Sequence, residues 1–185
     1  MIKINCLGSS HAKRLAFYLQ HPNPYSNVIT CAQNSGISGA RISDVKALIK
    51  QSPTPTQSPL SPIVLIIGTN DILNGADIVT IKKQYISLVR LVLRRFPSAP
   101  LLLVQLPIFP RCQGNSAQIK TIGQFNKYVA SLANQGIKII PLDMLLTSPR
   151  FFKKYYPRTA KQDNLHLNSN GYSQLVSLIV GILSS

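Results

Sequence analysis

Residues 61–71 read SPIVLIIGTND, and the five apolar residues Ile63–Ile67 stand between Pro62 and Gly68. The run is short, rich in β-branched side chains and free of polar alternation. That pattern fits a strand covered on both faces, as in a parallel sheet with helices above and below. Outward along the chain the same signal returns at Leu101–Leu106, which stops at Pro107, and more briefly at Ile2–Leu7, Val28–Ala32 and Ile137–Ile140. Between these runs the apolar residues take helical spacing. Residues 11–20, 41–50, 77–96 and 117–134 read as helices, and Tyr172–Leu183 as a closing helix with a broad apolar face. Pro97 and Gly136 supply stop signals. Five alternations of strand and helix predict an α/β fold with three layers, a parallel five-stranded sheet with helices on both faces.

The chain has 185 residues, enough for one domain with a real core, and the expectation is a single domain over residues 1–185. Gln51–Pro62 holds four prolines among Ser, Thr and Gln and reads as a long surface connection. Neither side of it has enough sequence for an independent core.

The charge is lopsided. Twenty Lys and Arg face five acidic residues, all Asp, for a formal charge of +15. Such a field attracts polyanions: nucleic acid, an anionic membrane surface or an acidic partner. Cys6, Cys31 and Cys112 are odd in number and widely spaced, with no zinc-like cluster, so they read as free thiols and no metal or other cofactor is expected. The start, MIKINCLGSS, lacks a secretory leader, and the apolar runs are too short to span a bilayer. An intracellular setting is expected, cytoplasmic or within a nucleoprotein or virion.

Parallel topology places the ligand crevice at the carboxyl ends of the strands. Three polar sites follow strands there. Ser10 lies where the first strand turns into a helix, with its hydroxyl exposed and its N–H lacking an intrahelical acceptor. A nucleophile fits this position, although Gly8-Ser9-Ser10 taken alone reads first as a helix N-cap. Gly39 ends NSGISG, where a glycine lets a substrate approach a backbone N–H. Asn70, in IGTND, would offer a side-chain amide, or else belongs to a turn or a helix cap. Asp71 reads as a brace for that turn or a cap for the next segment, and is given no catalytic role. No phosphate-binding loop of the GxGxxG or GKS/GKT kind is present.

Near the end, DNLHLNSNGY places Asp163 three residues before His166. A tight turn would set the carboxylate against the imidazole nitrogen that faces away from Ser10, fixing its tautomer. The same pair also suits a structural turn. His11 directly follows Ser10 and is expected to point elsewhere or, less readily, to line the cleft.

In their order these blocks resemble the SGNH hydrolases, also called the GDSL esterase and lipase family. LGSSHAKRL is similar to the family's first block, with the nucleophile on Ser10. GISGA is similar to the second, with its oxyanion glycine on Gly39, and IIGTNDI to the third, with its oxyanion asparagine on Asn70. DNLHLNSNGY is similar to the last, with Asp163 and His166 completing a triad. The resemblance runs from residue 2 to about residue 183. It implies a flavodoxin-like fold and cleavage of O-acyl esters, usually without a metal. An acetyl-sized acyl group is preferred because no lid-like insertion is seen, and transfer to an alcohol is an alternative to hydrolysis. Ser9 departs from the family's Gly-Asp-Ser, which removes a negative charge beside the site. Arg41, after GISGA, would favour an anionic substrate if it faces the cleft, and is otherwise a solvated residue.

Two basic regions stand apart from these blocks. RFFKKYYPRTAK, Arg150–Lys161, combines five cations with four aromatics that would either stack on bases or a bilayer interface, or anchor a loop. Lys82, Lys83, Arg90, Arg94 and Arg95 spread along the long helix, and Lys13 and Arg14 follow Ser10. The competing function is therefore a protein with this fold but little turnover, which binds nucleic acid or an anionic surface.

Overall fold

The computed structural model describes residues 1–52, 61–112, 114–134, 136–142, 154–156 and 165–185. Its centre is an all-parallel sheet in the order β2-β1-β3-β4-β5, formed by β1 (Ile2–Gly8), β2 (Ile29–Gly36), β3 (Ile63–Ile66), β4 (Leu101–Val104) and β5 (Ile137–Ile140). This is the predicted α/β architecture. Every residue of β3 and β4 is buried, which accounts for their unbroken apolar runs.

Successive side chains of a strand point to opposite faces, and two apolar cores result. On one side Ile4, Cys6, Val64, Ile66, Leu102 and Val104 pack against α1 (Ser10–Gln20) and α6 (Ser169–Ser184). On the other, Leu7, Ile63, Leu65, Leu101 and Leu103 pack against α2 (Ile42–Gln51), α4 (Ile78–Arg95) and α5 (Ser116–Ala130). All three cysteines are buried and free. Among the described residues no helix is long and apolar enough to cross a membrane.

Three local expectations change. The second strand runs to Gly36 rather than ending at Ala32, because β1 continues to pair with it as far as Gly8↔Gly36. At an edge strand, Gln33, Asn34 and Ser35 keep access to solvent while their backbone joins the ladder. The stretch after β3 is a short helix, α3 (Thr69–Leu73), capped by Gly68, so Asn70 lies inside a helix rather than in a turn or at a cap. The helix expected over 117–134 ends at Ala130, and Asn134 and Ile137 then form an antiparallel bridge just ahead of β5. Helix α4 begins where Asp77 Oδ1 accepts from the Thr80 N–H at 2.9 Å, which satisfies one of its orphan donors.

Candidate active site

The chain runs from β1 to β2 in one direction and from β3 through β4 to β5 in the other, so the strand order reverses between β1 and β3. In open parallel sheets the crevice lies at the carboxyl ends of such a pair. Ser10 follows β1, Asn70 follows β3, and Gly39 follows the neighbouring β2. Sheet order alone brings the three loops side by side.

Gly8 sets the exit from β1. Its φ is +138°, and a Cβ there would lie 2.0 Å from the Ile66 carbonyl oxygen on β3. The next N–H, of Ser9, donates to that same oxygen at 2.9 Å. This close approach turns the chain directly into α1. Ser9, rather than Ser10, takes the N-cap position, and its side chain makes no capping bond. Ser10 is the first helical residue, which revises the N-cap reading. Its N–H belongs to the first turn, where donors have no partner within the helix.

The Ser10 hydroxyl lies 2.6 Å from His166 Nε2, across 156 residues of chain. Both side chains are 92% buried by relative accessibility, each with 8% exposed. Asp163 lies outside the described residues, so its place beside His166 is not part of this geometry.

Gly39 has φ +76°, and nothing lies within 4 Å of where its Cβ would be, so the space before it is open. The Asn70 amide donates to the Ala40 carbonyl at 2.9 Å, tying the loop after β3 to the loop after β2. An amide nitrogen carries two hydrogens, and one such bond leaves the second for another acceptor. Asp71 acts as a brace, although for a different segment from the one expected. Its carboxylate oxygens accept from the Ile42 N–H at the start of α2, at 3.2 and 3.4 Å. Burial raises the Asp71 pKa above the ordinary carboxylate range, outweighing the opposite pull of that amide.

His11 requires a correction. Its ring does not turn away from the site but sits 4.8 Å from the His166 ring, centroid to centroid, and 5.8 Å from Phe109. The first turn of α1 faces the segment that carries His166, so consecutive residues can both meet it. Phe109, from the Pro107–Pro110 stretch after β4, stacks on the His11 ring. Buried Asn126 holds that stretch by accepting from the Leu106 N–H at 2.8 Å and donating to the Leu106 carbonyl at 2.7 Å.

Sequence reasoning missed Asn168. Its backbone N–H donates to the Tyr155 carbonyl at 2.8 Å, and its side-chain amide donates to the carbonyls of Lys154 at 2.9 Å and Tyr156 at 3.2 Å. Its carbonyl oxygen accepts from the Gly171 N–H at 3.0 Å and so caps α6. Two residues after His166, it fastens the histidine segment both to a helix and to residues 154–156. An asparagine immediately before a helical pattern is the signal that would have found it. Asn168→Ala should therefore lower stability by about 1–2 kcal/mol and reduce kcat more than it changes KM. Thermal melts and steady-state kinetics check both, and an unchanged kcat would reduce Asn168 to a simple helix cap.

The basic stretch Arg150–Lys161 is described only at Lys154, Tyr155 and Tyr156. Tyr155 and Tyr156 are buried in the core under α1 and α6. Those two aromatics act as anchors and are not presented for stacking on a ligand. The rest of the stretch lies outside the described residues.

A sequence model of the GDSL-like lipase/acylhydrolase family matches residues 7–174. Among curated proteins no sequence match is found. Solved structures give close fold matches. The OSK domain of Drosophila Oskar superposes with a TM-score of 0.73 at 18% identity, covering 98% of this chain and 92% of that one. A lipolytic protein of the G-D-S-L family from Veillonella parvula gives 0.70 at 17%, covering 100% and 99%. A lipase from a goat rumen metagenome gives 0.74 at 15%, covering 98% and 97%. At such identities the likeness is one of fold. The sequence match is more telling, because it spans both the β1 exit and the histidine segment that meets it, and on that ground the chain belongs to the GDSL-like lipase/acylhydrolase family.

Proposed function

We propose that this chain is a serine esterase that cleaves an O-acyl ester through an acyl-enzyme, with Ser10 as nucleophile and His166 as general base. The observation that carries the proposal is the 2.6 Å contact between the Ser10 hydroxyl and His166 Nε2. A nucleophile within hydrogen-bond reach of a base is the first geometric requirement of this chemistry. Ser10 attacks the ester carbonyl as His166 takes its proton. His166 then protonates the departing alcohol, and water releases the acyl group by the reverse sequence. Asp163, in the family's last block, takes the role of orienting the imidazole.

The developing oxyanion is met by the backbone N–H groups of Ser10 and Gly39 and by the Asn70 amide. These are donors held in place by the fold before the substrate arrives, which is the arrangement that lowers an acyl-transfer barrier. Asn70→Ala should cost roughly 10²–10³ in kcat, about 3–4 kcal/mol, with little change in KM. His11 sits against His166 with Phe109 stacked behind it, which favours a small acyl group such as acetyl. Exposed Arg41, two residues after Gly39, together with Ser9 in place of the family's aspartate, favours an anionic substrate.

The charge of +15 favours a second reading, a protein of this fold that binds polyanions and turns over little. One experiment separates the two. A fluorophosphonate probe should add to Ser10, as read by peptide mass spectrometry, and the adduct should disappear in His166→Ala. An unmodified Ser10 in a folded protein would leave the binding reading in possession.

A further inference from the structure

The described carboxylates sit at helix starts at the carboxyl-end rim of the sheet, Asp44 and Asp71 in the first turns of α2 and α3 and Asp77 at the N-cap of α4. There they accept from the backbone N–H groups of Arg41, Ile42 and Thr80. Helices α2 and α4 run away from that rim, and cations collect on them. Lys83, Arg90 and Arg94 are exposed and stand at i, i+7 and i+11 of α4, on a single stripe. At a rise of about 1.5 Å per residue they are spaced roughly 10 Å and 6 Å along the axis.

These three line an open groove of about 650 Å³, with Ser87 and the partly buried Ile86 and Leu93 as its floor. Lys46 of α2 reaches the same place, its Nζ donating to Ser87 Oγ at 2.7 Å. Two other cations of α4 are engaged. Lys82 lies over the Tyr128 ring at 5.5 Å, and Arg95 donates to the Ser52 carbonyl. The groove is therefore a row of four positive groups, with the described acids drawn off to the rim. It lies on the opposite face of the sheet from α1, which begins with Ser10.

We infer that this α2/α4 groove is a second binding site, separate from the Ser10–His166 pair, and that it takes the phosphodiester backbone of a nucleic-acid duplex. A row of cations along one helix stripe matches a polyanion that carries its charges along its length. Among the described residues no aromatic lines the groove, which gives no platform for stacking single-stranded bases. A bilayer is disfavoured because docking there needs exposed large apolar side chains beside the cations. Among the described residues the exposed ones are Met1, Phe17, Val28 and Ile37, which lie elsewhere, and Val79, one turn before Lys83 on α4, which gives only a single small apolar side chain beside the cations. Recognition through phosphates alone carries little sequence preference.

The test is fluorescence anisotropy of a labelled B-DNA duplex of arbitrary sequence, titrated with the full chain across a range of salt. Four phosphate contacts predict a slope of log K against log salt of about −3 to −4. The triple variant Lys83→Gln, Arg90→Gln, Arg94→Gln should flatten that slope to about −1. Lys83→Gln alone, the mildest change, should reduce its magnitude by about 1. A control removing equal charge elsewhere, Lys3→Gln, Lys120→Gln, Lys127→Gln, should keep the wild-type slope, and so should Ser10→Ala. Ester hydrolysis should be unchanged in the groove variants. The inference is overturned if the control weakens binding as much as the groove variant does. It is equally overturned if single-stranded DNA, polyglutamate or vesicles of phosphatidylcholine with 30% phosphatidylserine bind at least as tightly as the duplex.

Discussion

Ser10→Ala should abolish hydrolysis of a short activated ester, with a loss of ~10⁴-fold or more in kcat, while leaving the melting temperature nearly unchanged. The size of the loss follows from the chemistry. Without the hydroxyl no acyl-enzyme forms, and the remaining donors can only assist attack by water. Stability should survive because the alanine keeps the backbone of the first turn of α1. Ser10 Oγ makes its contact with His166 rather than with a core group, and alanine is a good helix former. His166→Ala should produce a loss of the same order, and the double variant should be little worse than either single one, because the two side chains act as a unit. Activity in Ser10→Ala within a factor of ten of wild type would remove Ser10 from the mechanism. Multiplying losses in the double variant would instead mean that the two residues act separately.

The second large effect is on folding. Gly8→Ala combines two penalties, a non-glycine residue at φ +138° and a methyl group 2.0 Å from the Ile66 carbonyl oxygen and 2.7 Å from its carbon. Both obstacles are backbone atoms of the central strand β3, so relief would require β1 and β3 to separate. Backbone strain and overpacking each cost about 1–3 kcal/mol, which suggests a combined loss of about 3–5 kcal/mol. For a chain of this size that is a fall in Tm of roughly 10 °C. Gly39→Ala provides the contrast. Its φ of +76° is also unfavourable for alanine, but nothing lies near the added methyl group. It should remain folded at a cost of about 1–2 kcal/mol, with its main effect on turnover. Differential scanning calorimetry of the two variants checks the comparison. Equal melting temperatures would mean that the tight approach of β1 to β3 is not what the geometry describes.

Parts of the site were legible in the sequence because they depend on local rules. A strand that ends in Gly8-Ser9-Ser10 and a strand that ends in Gly68-Thr69-Asn70 announce polar rim residues once the sheet is taken to be parallel. The fold supplied the rest of the site. The side chain of His11 could not be aimed from sequence, since its direction depends on the packing of α1 against a segment more than 150 residues away. Asn168 was overlooked because most of its bonds are made with residues 154–156, and no spacing in the chain encodes that meeting. The polar end of β2 was hidden for a related reason. An edge strand gains pairing from its neighbour's backbone without needing apolar side chains, so Gln33–Gly36 shows no hydrophobic pattern.

Hydrophobic periodicity pointed to a layered α/β structure, and with the sheet taken as parallel it put Ser10, Gly39 and Asn70 on one rim. Burial imposes a period of two on strands and of about 3.6 on helices, and both periods can be read in one dimension. Only tertiary structure decided that His166 meets Ser10, that His11 lies against His166 with Phe109 behind it, and that four cations of α2 and α4 share one groove. Those arrangements depend on how helices pack across a sheet, where contacts join residues distant in the chain and leave no periodic trace in it.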